Sequence, residues 1–361
     1  MKRSGSKRAF TLIELMVATA ILLGLATIMI SITGEVSKVF KRTAGKVEQF
    51  GEARRAYENV TRRLSEATLN TYWDYAYKTT GSSRVPSGYM RQSELRFRSG
   101  PMKSLLASDG MYRPTHGLFF QAPAGWVEER EELSRLDQSL NTWGFFLEAG
   151  DDHEYRPAFL EGRVPKRLRS RLLELREPAE RLSIYAPPDK ESANWWFATS
   201  LERKAGRPVR VLAENIIALV VLPRLSRPDE LARGDKPPLS PNYDYDSTRT
   251  SNHQPALFPA DPEINPKNQL PPVVQVVMVA LDETSGARLA QEHGEEEDLG
   301  VRTEDLFQKS LWLEDNPDSY APGDGDLFEL ERRLIAQRLS YRIFSTNVAL
   351  RGAKWSKAQT N

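Results

Sequence analysis

Residues 10–33 read Phe10-Thr11-Leu12-Ile13-Glu14-Leu15-Met16-Val17-Ala18-Thr19-Ala20-Ile21-Leu22-Leu23-Gly24-Leu25-Ala26-Thr27-Ile28-Met29-Ile30-Ser31-Ile32-Thr33, an apolar run whose one charged residue is Glu14. About 20 such residues, wound as a helix, span a hydrocarbon core of roughly 30 Å. Lys2, Arg3, Lys7 and Arg8 precede the run. A secretory signal has a shorter apolar region of about 7–15 residues, with its small-residue cleavage site after it. Here the small residue, Ala9, comes before the run, so a cut at Ala9 would leave the apolar helix on the mature chain. A carboxylate in a membrane helix costs several kcal/mol unless it finds a cation, so Glu14 reads as a functional residue awaiting a partner. Lys38, Lys41, Arg42 and Lys46 follow the run closely, so the Lys/Arg bias on its own sets the orientation only weakly.

The helix is expected to continue past the apolar run. Val36, Phe40, Ala44, Val47, Phe50, Tyr57, Val60, Leu64 and Ala67 recur mostly at steps of three or four, with charged residues between them, and no proline interrupts residues 10–70. About 60 residues at 1.5 Å each would make a rod of roughly 90 Å. The expected organisation is a leader at 1–9, a membrane-spanning segment at 10–33, an amphipathic continuation at 34–70 and a head at 71–361.

The head reads as α+β. Strands are expected at 94–98, 117–121, 143–147, 182–185, the second half of 209–222, 273–281 and 341–350; helices are expected at 126–140, 166–176 and 327–339. The segment 224–272 is dense in Pro, Asn, Asp and Ser and reads as a long loop or insertion, with Tyr243-Asp244-Tyr245-Asp246 on its surface. Residues 282–286 read as a turn and 292–298 as a solvated acidic run. Trp195-Trp196-Phe197 is a core load. Tyr72, Trp73, Tyr75 and Tyr77 could stack on bases or sugars, but are expected to cover the exit of the long helix.

Composition narrows the function classes. The chain has 361 residues, a net charge of +1 and no cysteine. No strong field argues for nucleic acid, and Cys-ligated zinc, iron–sulfur clusters, disulfides and thiol catalysis are excluded. The basic stretch at 166–171 reads as a solvated helix face. His116, His153, His253 and His293 do not form the one-turn His pair of a zinc hydrolase; neither a phosphate-binding Gly-rich loop nor a Gly-x-Ser-x-Gly elbow is present. His153, in Asp151-Asp152-His153-Glu154, reads as a polar turn before a metal ligand. No enzyme activity and no cofactor are expected. Asp315, Asp318, Asp324 and Asp326 offer oxygen ligands of the kind calcium takes, but their spacing fits no EF-hand, and an ordinary polar loop is the preferred reading.

The layout Ala9, then Phe10-Thr11-Leu12-Ile13-Glu14-Leu15, then Met16-Val17-Ala18 resembles the class III leader of type IV pilins and type II secretion pseudopilins. The resemblance implies cleavage between Ala9 and Phe10 by a prepilin peptidase, N-methylation at Phe10, and a filament register in which Glu14 meets the amino terminus of a neighbouring subunit. The family usually carries Gly before the cut, where this chain has Ala9. Three further segments, Glu214-Asn215-Ile216-Ile217-Ala218-Leu219, the valine-rich 273–281 and 344–351, resemble minor pilins of the W type and the secretion pseudopilin J, and the whole is similar to the long pilin-like cassette proteins of Verrucomicrobia. Implied with it are a pilin-like α+β fold with a long helix on an antiparallel sheet carrying large insertions, other pilin or pseudopilin subunits and an inner-membrane assembly platform as partners, and a single-pass place in a bacterial inner membrane with the head in the periplasm. The alternative is a membrane-anchored module whose head binds a substrate, DNA or a surface.

Overall fold

The computed structural model describes residues 12–106, 110–128, 139–160, 162–186, 194–202, 206–252, 264–293, 299–315 and 324–355, apart from the side chains of residues 14, 34–49 and 158. The chain divides into two compact units, 1–49 and 50–361. The helix expected at 126–140 and the acidic run at 292–298 lie largely outside the described residues.

One helix, α1 (Leu12–Ser65), carries the apolar run and its continuation. Its last turns explain where it stops. The amides of Glu66 and Ala67 bond to the carbonyls of Arg63 and Leu64, three residues back, tightening the end of the helix. Arg62 and Arg63 sit in the last turn, where positive charge suits the helix dipole.

From residue 50 onward the structure is α+β, with all strand pairs antiparallel. The chain first forms a two-stranded hairpin, β1 (Tyr72–Thr80) and β2 (Ser83–Gln92). It then runs through β3 (Arg98–Pro101), a single turn α2 (Met102–Leu105), β4 (His116–Pro123), β5 (Leu140–Gly150), β6 (Arg169–Glu177), α3 (Trp195–Leu201) and β7 (Val209–Glu214). After β8 (Ile216–Arg224) come α4 (Arg227–Arg233), β9 (Tyr245–Asp246), β10 (Val273–Leu281), α5 (Glu283–Glu292), α6 (Asp326–Ala336) and β11 (Tyr341–Ala349). One sheet has six strands in the order β7-β6-β5-β4-β3-β9, and another has three in the order β11-β10-β8.

Burial on both faces explains why 273–281 is nearly continuous Val and Met. Val274, Val276, Met278 and Ala280 belong to the core that also contains Ala53, Ala56, Tyr57, Val60 and Leu64 of α1. The alternate residues Val277, Val279 and Leu281 join a second core with Leu330 and Leu334 of α6. Each fully buried aliphatic side chain contributes about 1.5–3 kcal/mol, so the strand ties the two cores together.

Several expectations are corrected. Residues 166–176 hold strand β6, not a helix. The leucines suggested a helical stripe because the polar positions of the strand are buried as well: Arg169, Arg171, Glu174 and Glu177 are all buried with partners. Arg171 donates to the carbonyls of Gly150 (3.1 Å) and Asp151 (3.0 Å), and Arg169 pairs with Glu283 at 2.8 Å. Of the basic stretch, Lys166 and Arg167 are exposed, whereas Arg169 and Arg171 are buried in the strand and not on a solvated helix face. Residues 182–185 form 3-10 turns instead of a strand. In 94–98, only Arg98 falls in a strand.

The turn expected at 282–286 opens α5, with Asp282 accepting the Ser285 amide at 2.7 Å as an N-cap. Tyr243-Asp244-Tyr245-Asp246 is buried, not a surface loop. β9 pairs with β3, Arg98 pairs with Asp244, and the Tyr245 hydroxyl donates to the Gln269 carbonyl at 2.9 Å. The strand expected in the second half of 209–222 is β8; β7 precedes it, and the chain passes from one sheet to the other at Asn215, whose φ is 58°. The strands at 117–121, 143–147, 273–281 and 341–350 and the helix at 327–339 are present.

Candidate functional site

Two surfaces stand out, one in each unit. In the first unit, Leu15–Thr33 is a 19-residue stretch of mean hydropathy 2.4, long and apolar enough to cross a membrane. Its side chains are exposed, including Leu22, Leu23 and Ile30. The threonine hydroxyls within it bond back to the helix: Thr27 donates to the Leu23 carbonyl at 2.7 Å and Thr33 to the Met29 carbonyl at 2.8 Å. Helices in lipid need such internal partners, because the medium offers none. This arrangement fits a membrane anchor or a signal sequence. Glu14 lies in the first turn of α1. Its side chain, and the whole of Ala9 and Phe10, lie outside the described residues.

The second surface is the β1–β2 hairpin. A two-residue turn, Gly81-Ser82, closes it, with Gly81 at φ 65° where a side chain would be strained. Alternation along β1 puts Trp73, Tyr75 and Tyr77 on one face, and the pairing Tyr75↔Tyr89 adds a fourth ring. Tyr75 lies 5.0 Å from Tyr89 and 6.4 Å from Tyr77, centroid to centroid. Arg84 sits over Tyr77 at 4.6 Å and Arg91 over Trp73 at 5.4 Å. Trp73 is 61% exposed and Tyr89 65%. These aromatics do not cover the exit of α1. They form an open ribbon, because the hairpin joins neither larger sheet.

The ribbon's base is fixed to the head: Arg91 donates to the Lys354 carbonyl at 2.8 Å, Asn268 donates to the Arg91 carbonyl at 2.7 Å, and the Ser93 hydroxyl bonds to the Leu69 carbonyl at 2.5 Å. Sequence reading noticed the rings of β1 but missed Tyr89 and Arg84. The signal that could have found them is the strict alternation 73/75/77 followed by a Gly-Ser turn, which is a hairpin pattern.

Glu148, 4% exposed, receives Arg113 at 3.2 Å and Arg207 at 2.8 Å. Arg207 also donates to the Tyr155 hydroxyl at 2.6 Å and pairs with Glu154 at 2.5 Å. Burial opposes its charge, but these carboxylates hold Arg207 protonated above its ordinary range, and burial beside Glu148 pushes the Tyr155 phenol up to about 12. His153 sits in a polar turn, its amide bonding to Asp151 at 3.1 Å.

Of the four aspartates considered for calcium, Asp318 lies outside the described residues. Asp326 is buried and accepts the Phe307 amide at 2.8 Å; burial raises its carboxyl to about 6. Asp315 lies beside a surface cleft with Arg224 and Glu230. Among the described residues no three or more His, Asp or Glu are grouped to hold a metal ion.

A cavity of about 380 Å³ lies between Met102, Tyr112, His116, Thr303 and Phe307. Its histidine is fully engaged: Nδ1 accepts the Val221 amide at 3.1 Å, leaving Nε2 to donate to the Phe307 carbonyl at 3.3 Å. Burial lowers its pKa to about 4, so it is neutral at pH 7. No family model, no curated protein and no solved structure matches the chain.

Proposed function

We propose that this chain is a minor pilin or pseudopilin, a membrane-anchored structural subunit of a type IV pilus or type II secretion filament. The observation that supports it is the change of character along α1. The same helix is apolar and exposed over Leu15–Thr33, then buries Ala53, Ala56, Tyr57, Val60 and Leu64 in the core of an antiparallel α+β head. A subunit that waits in a membrane and is then extracted into a filament needs both halves on one element. The leader-like residues Ala9 and Phe10 and the carboxylate Glu14 fit cleavage by a prepilin peptidase and register against a neighbouring subunit's amino terminus. The head would then face the periplasm, with other subunits and an inner-membrane assembly platform as partners.

The test is Glu14→Ala in the natural host. The account expects normal membrane insertion with loss of incorporation into filaments sheared from cells. Wild-type incorporation of the variant would remove Glu14 from assembly, and absence of the wild-type chain itself from sheared filaments would favour a permanently anchored protein.

A further inference from the structure

We infer that the aromatic face of the β1–β2 hairpin binds single-stranded nucleic acid. This stands independently of the filament reading, because it uses only the hairpin.

Trp73, Tyr75, Tyr77 and Tyr89 present four rings along one face of a ribbon that packs in neither sheet. An isolated hairpin is marginal in water and gains little from keeping such rings exposed. Charge narrows the occupant. The hairpin carries Lys78, Arg84 and Arg91 against the single carboxylate Asp74, whereas the whole chain has a net charge of only +1. By the same alternation Arg84 and Arg91 share the ring face, whereas Lys78 and Asp74 lie on the opposite one; Arg91 is committed to the base of the ribbon through Gln269 and Lys354, which leaves Arg84, near the turn and over Tyr77, for an anionic backbone.

Ring geometry narrows it further. Tyr75 is inclined 55° to Tyr77 and 32° to Tyr89. A rigid glycan needs coplanar rings to lie on. An unpaired strand does not, because each base turns independently to meet its own ring. Aromatics on a ribbon flanked by cations are the elements of a sequence-tolerant single-strand site. The sequence reading expected no nucleic-acid partner because the chain's overall charge is near zero; the local concentration of rings and cations is what argues otherwise.

The experiment is fluorescence anisotropy of a labelled oligothymidylate titrated with the full chain in detergent micelles. Saturable binding is expected. Tyr75→Ala and Tyr89→Ala should each weaken it about tenfold, the loss of one stacked base. Tyr75→Phe should retain it, and Tyr72→Ala, on the opposite face, should leave it unchanged. Arg84→Gln should lower the slope of log affinity against log salt by about one. Thermal melts of these variants should match the wild type, since none of the side chains enters a core. Absence of saturable binding overturns the proposal. So does binding that Tyr75→Ala leaves intact and heparin displaces, which would be charge alone, or a hairpin that engages only anionic lipid vesicles.

Discussion

Tyr57 of α1 and Phe344 of β11 pack ring against ring at 5.5 Å, and the Tyr57 hydroxyl donates to the Val276 carbonyl on the strand between β11 and β8 at 2.8 Å. One side chain therefore joins the helix to two strands of the three-stranded sheet. Burial pushes its phenol well above the ordinary range, so it remains a donor at any working pH.

Tyr57→Phe is expected to cost about 1 kcal/mol, the net worth of one buried hydrogen bond. A double-mutant cycle of Tyr57→Ala with Phe344→Ala should return a coupling of about 0.5–1.5 kcal/mol. Urea unfolding of the four proteins measures both. Strict additivity would mean the rings do not interact.

Glu148 is the shared partner of two buried arginines, Arg113 and Arg207. Glu148→Gln removes the carboxylate that the two arginines share, leaving Arg207 with Glu154, and should destabilise the head by about 3 kcal/mol. A drop in the urea midpoint at unchanged slope is the expected readout.

Asn215 holds φ 58° where the chain leaves the six-stranded sheet for the three-stranded one, and it donates to Glu283 at 2.8 Å. Gly286 packs so closely on its side chain that a Cβ there would collide. Asn215→Val puts a β-branched residue into a left-handed conformation and should cost about 2 kcal/mol or more, with Asn215→Gly the milder change. Thermal melts of the two variants compare them.

Two buried groups oppose each other in acid. His116 is depressed to about 4 from 6.5, so its contribution is fully present above pH 6.5 and is lost as pH falls through 4. The full loss is on the order of 3 kcal/mol. Asp326 is raised to about 6 from 3.8, so its contribution is present below pH 3.8 and is lost as pH rises through 6. Removing the carboxylate with Asp326→Asn should therefore stabilise the head at pH 7 relative to wild type, and the gain should shrink toward pH 4. Denaturation at a series of pH values tests the crossing.

How much of this was legible in the sequence depends on where the polar residues went. The long α1, β10, α6 and β11 could be read because their apolar spacing matches the burial: continuous for β10, which is buried on both faces, and helical for α6. β6 was misread because Arg169, Arg171 and Glu174 are buried by ion pairs that only the fold brings together. Tyr243-Asp244-Tyr245-Asp246 was misread for the same reason: Arg98, remote in sequence, neutralises Asp244 and makes burial affordable. The hairpin failed differently. Its alternation was visible, but nothing local says that a ring-rich ribbon stays in solvent instead of joining a core. At the amino terminus, the residues that would carry processing are a matter of motif and lie outside the described structure.

The central claim is that the chain is a processed filament subunit. The direct measurement is intact mass and amino-terminal sequence of the membrane-extracted protein, from hosts with and without a prepilin peptidase. The account predicts a mature chain beginning at N-methylated Phe10 in the first host and the unprocessed chain in the second. A protein that retains residues 1–9 in both hosts would contradict it.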